Sequence, residues 1–474
     1  MKREEHYQES RLATTDENGN RIYIHPEDIH GKWKSRRKGL YWFLILLYLF
    51  LPWIYINGKQ WVLLDIANRE FTIFGNMFYS HDGPLLFFLV LGFIFLMAFI
   101  TSILGRVWCG WACPQTVFID TIYRQIERIV EGKSRQRRKL DKEKMSLNKI
   151  FKRILKWSLF ILVSMHIVHS FLGYFVGTKK LFFITLNSPS ENWTLFVTML
   201  VMTGIILFDF GWFREQFCII ACPYGRFQSV VMDDDSLIVG YDKNRGEPRR
   251  NKEVTKDSEG DCINCNHCVK ACPTGIDIRN GTQMECIACT MCIDACDDIM
   301  TKIKKPTGLI SYTSENKLHG IKPNKYHIRS IIYLVILTSI FSALYFSLSK
   351  REEIKAQLIR GSKSSSAYQV VTLEDKSTEI VNFYKLKIFQ NSARKENIKL
   401  TIDSSKDNNL SSIKINSPFP IIKMENDNFQ MPIFFNFPKS ILKDGKRDIK
   451  VNLVNSDNNQ TIKQIEVKLV GPLR

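Results

Sequence analysis

Two cysteine runs in the middle of the chain carry chemistry that can be named from spacing alone. The segments CINCNHCVKACP and CIACTMCIDAC supply Cys262, Cys265, Cys268 and Cys272, followed by Pro273, and then Cys286, Cys289, Cys292 and Cys296. Each is a C-x2-C-x2-C-x3-C run, the spacing that holds a pair of 4Fe-4S cubanes. Three closely spaced thiolates can wrap three corners of a cubane, and the fourth corner must be supplied from a distance. In this pattern the last Cys of each run ligates the other cluster. One cluster is therefore expected on Cys262, Cys265, Cys268 and Cys296, and the other on Cys286, Cys289, Cys292 and Cys272. Zinc, the competing metal, typically asks for two separated pairs of ligands. One position departs from the pattern: Asp297, in place of a proline, follows Cys296, and Asp297 with Asp298 should lower the potential of the adjacent cluster.

A second thiol motif occurs twice. VWCGWACPQ and QFCIIACPYGRF both read C-x3-C-P, so that Cys109, Cys113 and Pro114 match Cys218, Cys222 and Pro223. Cysteines at i and i+4 share a helix face, and a proline directly after the second disturbs the helix there. Each pair is thus expected to present two thiols on one side near the membrane surface. Four soft thiolates converging there suit an iron-sulfur centre or Cu(I); small buried residues in a helix contact are the plainer alternative. His166 and His169 stand at i and i+3 amid apolar residues, and Asp209 lies near the inner end of the apolar block Leu195 to Trp212. Ionisable groups at membrane depth point to function. A haem or copper ligand pair and interhelical hydrogen bonding with Ser164 or Ser170 are both open for the histidines. Met165, Met199 and Met202 read as apolar filler.

The elements that must position these residues follow from hydropathy. Five blocks approach the ~20 residues needed to cross a bilayer: Leu40 to Ile56, Leu85 to Leu104, Trp157 to Val176, Leu195 to Trp212 and Ser330 to Leu348. Trp42, Trp53, Trp157 and Trp193 sit near their ends, as interfacial anchors do. The first block follows a charged arm without a small-residue cleavage pattern, so it reads as an uncleaved signal anchor. Much of the +19 net charge sits in that arm (Lys32, Lys34, Arg36, Arg37, Lys38) and between Arg124 and Lys156, including Arg135, Arg137, Arg138 and Lys139. Basic runs can bind nucleic acid, but both of these flank apolar blocks, which makes them positive-inside topology signals and leaves no nucleic-acid partner. All twelve cysteines lie between Cys109 and Cys296, which is no disulfide framework.

The expected architecture is a multi-domain membrane protein. Residues 1–38 form a cytoplasmic arm, 39–213 a four-helix membrane domain with both C-x3-C-P motifs, and 214–327 a cytoplasmic two-cluster ferredoxin-like α+β segment. Residues 328–349 form a fifth transmembrane helix, and 350–474 a domain on the far, periplasmic side. That tail has no Cys or His, and its short alternating runs, such as FYKLKIFQ, NIKLTID and DIKVNLVN, predict an all-β, immunoglobulin-like sandwich.

In this combination the chain resembles the FixG/CcoG/RdxA-type accessory proteins of the cbb-type cytochrome c oxidase. The resemblance runs from the first span through WCGWACP, CIIACPYGRFQ and the double ferredoxin motif to the final β-domain. It implies a protein of the bacterial inner membrane that helps to build the oxidase as a cupric-reductase type of oxidoreductase. Copper would be its substrate or ligand, and oxidase subunits or copper-delivery proteins its partners. The resemblance further implies that the eight ferredoxin cysteines relay electrons from an unidentified cytoplasmic donor, with Cys109, Cys113, Cys218 and Cys222 as the additional metal or redox site. Two other functions fit the same residues. One is a quinol-linked respiratory conduit, with His166, His169 and the span ends framing a quinone; the other is a non-enzymatic assembly scaffold. The chain has neither G-x-G-x-x-G nor G-x4-G-K-[ST], so any nicotinamide or ATP use would come through a partner.

Overall fold

In a computed structural model, residue 14 and residues 21–56, 58–68, 70–79, 83–250, 258–322, 328–349, 354–361, 368–372, 378–390, 397–402, 410, 412–423 and 428–472 are described. The chain forms two compact units, Met1–Phe346 and Ser347–Arg474.

In the first unit, four helices among the described residues are long and apolar enough to cross a membrane: Leu85–Leu104, Leu147–Val176, Pro189–Phe213 and Ile328–Ser349. The first apolar block behaves differently. Its helix begins at Lys32, eight residues ahead of the expected start, and ends at Phe50. A 3-10 turn at Leu51–Trp53 containing Pro52 follows, because the proline ring cannot continue the helical ladder. The helix therefore has charged first turns and an apolar second half. The third block also starts early, at Leu147, where the Ser146 hydroxyl accepts the Lys149 N–H at 3.3 Å. It ends at Val176 before Gly177, whose φ of 89 closes the helix. Between the first two long helices the chain builds a feature absent from the sequence reading, an antiparallel meander of Val62–Asp65, Glu70–Ile73 and Asn76–Tyr79. The neighbouring Gln60 ties this region down by donating to the Gly173 carbonyl at 3.0 Å.

The ferredoxin segment is a two-stranded antiparallel sheet, Ile238–Tyr241 with Ile310–Thr313, flanking the helices His267–Ala271 and Met291–Lys302. Val239, Ile278, Ile293, Met300, Leu309 and Ile310 form its core. The Lys32–Phe50 helix docks on this segment: the Trp33 and Lys34 N–H groups donate to the two Asp294 carboxylate oxygens at 3.1 and 2.7 Å. Those are orphan donors of a first turn, and a carboxylate is their natural acceptor.

The second unit is β-rich. Ile354–Arg360, Gln369–Thr372, Thr378–Gln390, Lys414–Asn416 and Asn428–Pro438 make one antiparallel sheet. Asn397–Ile402, Ile422–Lys423, Lys446–Asn455 and Thr461–Val470 make a second. Alternate residues point inward, so that Ile380, Leu386, Ile433, Phe435, Val451 and Leu469 belong to one core shared by both sheets. Buried Asn382 bonds the Val470 backbone N–H and C=O, both at 2.8 Å.

Candidate iron-sulfur and thiol site

The two ferredoxin runs fold alike, and the likeness lies in the backbone. Asn264 and Asn266 have φ of 55 and 57; Ala288 and Thr290, at the same positions of the second run, have φ of 50 and 60. Left-handed residues at the second and fourth places after the first Cys turn the chain back twice, so that three side chains spaced by two residues meet on one side. Asn adopts this conformation readily, whereas a β-branched Thr does so only under tertiary constraint.

The thiols fall into the two expected sets, although among the described residues no three of them are placed to hold a single metal ion. Burial first, and then the charges of Cys268, Asp297, Cys262 and Cys265, push the Cys296 thiol up to about 12. Burial and then Cys289, Cys286, Cys272 and Cys268 push Cys292 well above the ordinary thiol range. The last cysteine of each run thus lies among the first three of the other, where thiolates repel one another and only a cationic centre makes them compatible. Cys272, Cys286, Cys289 and Cys292 line an enclosed cavity together with Val239, Ile276, Ile278 and Ile287. The Cys272 thiol receives the N–H groups of Thr274, Gly275 and Ile276. The residues fit a pair of 4Fe-4S clusters in ligand type, grouping and dry surroundings. Because burial pushes the thiols of Cys268, Cys272, Cys286, Cys289, Cys292 and Cys296 up, loading must expel protons.

The C-x3-C-P motifs also converge, by a route different from the expected one. Cys109 lies in the short helix Val107–Trp111 and Cys113 at the cap of the next, Pro114–Phe118. Cys222 likewise caps Pro223–Val231, so neither pair shares one continuous helix. The physical reason is the Cys-Pro step. A residue before proline is held extended, with ψ of 125 at Cys113 and 113 at Cys222, and proline then opens the new helix. The Cys113 thiol gains the Gln115 and Thr116 N–H groups of that helix. Burial, followed by the Cys113 charge, pushes Cys109 up to about 12, and burial followed by Cys113, Glu215, Cys109 and Cys222 also raises Cys218. Gln228 donates to the Cys109 Sγ at 3.3 Å.

The two thiol centres adjoin. Cys109 and Cys218 pack against a buried cluster that contains Ile287, Cys289 and Met291. Gly110 makes the approach possible: a Cβ there would lie 2.6 Å from the Ile287 carbonyl oxygen and 2.7 Å from that of Ala288.

Other expected site residues stay apart from this centre. His166 is exposed and His169 half-buried, and neither has a hydrogen-bond partner among the described residues. Ser164 is engaged by the Tyr123 hydroxyl at 2.7 Å instead. Asp209 does join the site, accepting from Gln115 Nε2 at 2.9 Å one residue beyond the Cys-Pro step. Gly110, Gln115, Gln228 and Asp294 were missed in the sequence. Only Gly110, inside the motif, carried a visible signal.

Comparison with known proteins agrees with this site. Residues 213–315 match the family described as "4Fe-4S dicluster domain", and residues 85–139 match "4Fe-4S binding domain". The chain is 35% identical over 413 residues to protein RdxA of Cereibacter sphaeroides, covering 81% of this chain and 83% of RdxA. It is 34% identical over 402 residues to protein RdxB of the same organism, 80% and 82% of the two chains. To the nitrogen fixation protein FixG of Rhizobium meliloti it is 35% identical over 307 residues, 61% of this chain and 57% of FixG.

Proposed function

Because the chain belongs to the RdxA/FixG family of 4Fe-4S proteins, we propose that it is a membrane-bound electron carrier that serves assembly of a cbb-type cytochrome c oxidase by reducing Cu(II) to Cu(I). The observation that carries this reading is the convergence of Cys109, Cys113, Cys218 and Cys222 beside Cys289, a ligand residue of the ferredoxin segment. Two 4Fe-4S clusters, when bound, supply single electrons. Thiolates are soft ligands that favour Cu(I), so the four cysteines stabilise the product of the one-electron step, Cu(II) gaining one electron. Gln228 and the Gln115 and Thr116 N–H groups orient the thiols, and a cytoplasmic reductant is the source of electrons. Five spans then place the arm and the ferredoxin segment inside and an immunoglobulin-like β-domain in the periplasm. There the β-domain meets oxidase subunits or copper-delivery proteins.

A second reading, the quinol-linked conduit, is favoured by an apolar cavity of ≈ 350 Å3 lined by Leu44, Tyr48, Ala112, Pro114, Phe118 and Phe171. Ala112 and Pro114 belong to the first C-x3-C-P motif, and the size is at the low end for small-molecule pockets. His166 and His169 do not line it.

One anaerobic experiment separates the two. The detergent-purified protein is assayed for iron and sulfide, reduced, and followed by EPR as Cu(II) is added. The copper reading expects about eight irons, the two ferredoxin clusters at four irons each, with reoxidation matched by Cu(I) formation and lost in C109S and C218S. Clusters that ignore copper and become reduced by a quinol would overturn it in favour of the conduit.

A further inference from the structure

Arg37 stands in the basic arm, where its charge reads as a topology signal. It is only 2% exposed, and its guanidinium is spent on the two thiol centres rather than on solvent. Nη1 donates to the carbonyl of Cys289. Nε donates to the carbonyl of Gly110, between Cys109 and Cys113, at 3.1 Å. Nε and Nη2 also reach the Tyr41 hydroxyl at 3.0 and 2.6 Å, and that hydroxyl donates back to Gly110. Nη2 also meets Asp120 Oδ2 at 3.2 Å. Asp120 is in turn held by Arg124 at 3.2 Å, with the charge of Lys34 nearby.

We propose that Arg37 is a positioning residue that locks the Cys289 loop to the Gly110 loop and raises the reduction potential of the cluster on Cys272, Cys286, Cys289 and Cys292. The proposal rests on the ferredoxin reading of these cysteines and is independent of copper. Reduction adds an electron to a buried centre. A fixed cation against a ligand's own carbonyl stabilises that added charge most where water is excluded, because the local dielectric is low. Arginine stays charged at any working pH and offers a planar fork of donors, which suits four acceptors, one on its own helix and three on other segments; lysine has the charge without the fork. Asp120 bonds Nη2 while the Cys289 carbonyl accepts from Nη1, so the Asp120 carboxylate offsets part of the positive charge that the cluster feels. The cluster on Cys262, Cys265, Cys268 and Cys296 has a buried arginine of its own, Arg279, which donates to Asn264 and Asn266 at 2.8 and 2.6 Å and pairs with Asp277; R37Q leaves that arginine in place, so this cluster serves as an internal control.

The test is an EPR-monitored redox titration of the full-length protein without copper. R37Q should lower the potential of one cluster and leave the other in place, R37K should restore most of that shift, and D120N should move the same cluster upward. A purely structural role moves R37Q and D120N in the same direction, or moves neither. R37Q with a full iron complement and an unmoved potential overturns the proposal. Should R37Q lose its iron, D120N decides: an upward shift supports the proposal, and none overturns it. Failure of copper to reoxidise the clusters would leave these shifts intact and would count only against the copper reading.

Discussion

At the scale of single residues, the site is built by positions where the backbone must do something a helix or strand would not. Pro114 and Pro223 convert the preceding cysteines into helix caps, and Asn264, Asn266, Ala288 and Thr290 turn left-handed so that ligands converge. Gly110 sets the distance between the two centres, and two opposing effects meet there. Alanine is the better helix former by about 1 kcal/mol, which favours G110A within Val107–Trp111. Its methyl, however, would stand 2.6–2.8 Å from the backbone of Ile287 and Ala288. A backbone contact cannot be relieved by a rotamer change, and overpacking costs about 1–3 kcal/mol. G110A should therefore bleach its iron-sulfur absorbance at a lower temperature than wild type; an equal or higher bleaching temperature would mean that the loops are not in contact. The ligand cysteines were legible in the sequence because ligation depends on short spacings. Arg37 was not, since what distinguishes it is a contact with Cys289, 252 residues away, and a buried arginine in a basic run looks like its exposed neighbours.

At the scale of elements, wide π-helical turns at Ile119–Tyr123, Leu207–Phe213 and Phe217–Ala221 surround the C-x3-C-P loops, the kind of irregularity that recurs at functional sites. Hydropathy cannot register them, because an apolar stretch scores the same whichever turn it adopts. The basic region from Arg124 to Lys156 shows the converse. It reads as an exposed topology loop, yet much of it is tied to acids inside the fold. Glu127, 1% exposed, takes Arg214 at 2.6 and 3.1 Å and Arg137 at 2.7 Å, and Glu131 takes Lys156 at 2.8 Å. These pairs join the Arg124–Val130 helix to the end of the Pro189–Phe213 span and to the Leu147–Val176 helix. Burial alone would raise the Glu127 carboxyl, but Arg214, Arg137 and Lys156 bring it down to about 2. A depressed carboxyl stabilises the fold fully above its unfolded value of 4.5 and loses that contribution as pH falls toward 2. E127Q leaves two buried cations uncompensated and should cost about 3–5 kcal/mol at neutral pH. Thermal melts in detergent should show wild type losing stability between pH 4.5 and 2 and E127Q losing distinctly less. Parallel pH profiles would show that Glu127 is not the acid being titrated.

At the scale of the whole molecule, contacts inside the first unit constrain how many times the chain crosses the membrane. Trp33 and Lys34 bond Asp294, and Gly110 abuts Ile287 and Ala288, so residue 33, residue 110 and the ferredoxin segment share one side. Between residues 110 and 214 lie two long apolar helices, Leu147–Val176 and Pro189–Phe213, and two crossings return the chain to the side it left. Among the described residues between 33 and 110, only Leu85–Leu104 meets the length and hydropathy requirement, and a single crossing would separate groups that touch. The proposed five-span topology requires the second half of the Lys32–Phe50 helix to cross as well. The helical residues Leu40–Phe50 reach about 17 Å at ~1.5 Å per residue and the 3-10 turn Leu51–Trp53 adds about 6 Å at ~2 Å per residue, short of a ~30 Å core, and Trp42 and Trp53 sit near the ends of this stretch. In that proposal four crossings precede the ferredoxin segment, and Ile328–Ser349 is the fifth. The proposed topology, with the β-rich unit in the periplasm, can be tested by proteolysis. Protease added to right-side-out spheroplasts should digest the β-rich unit and spare a fragment retaining the ferredoxin segment; inverted vesicles should give the reverse. Digestion of both from the same side would mean that one of the five helices does not cross, and the Lys32–Phe50 helix would be the first to doubt.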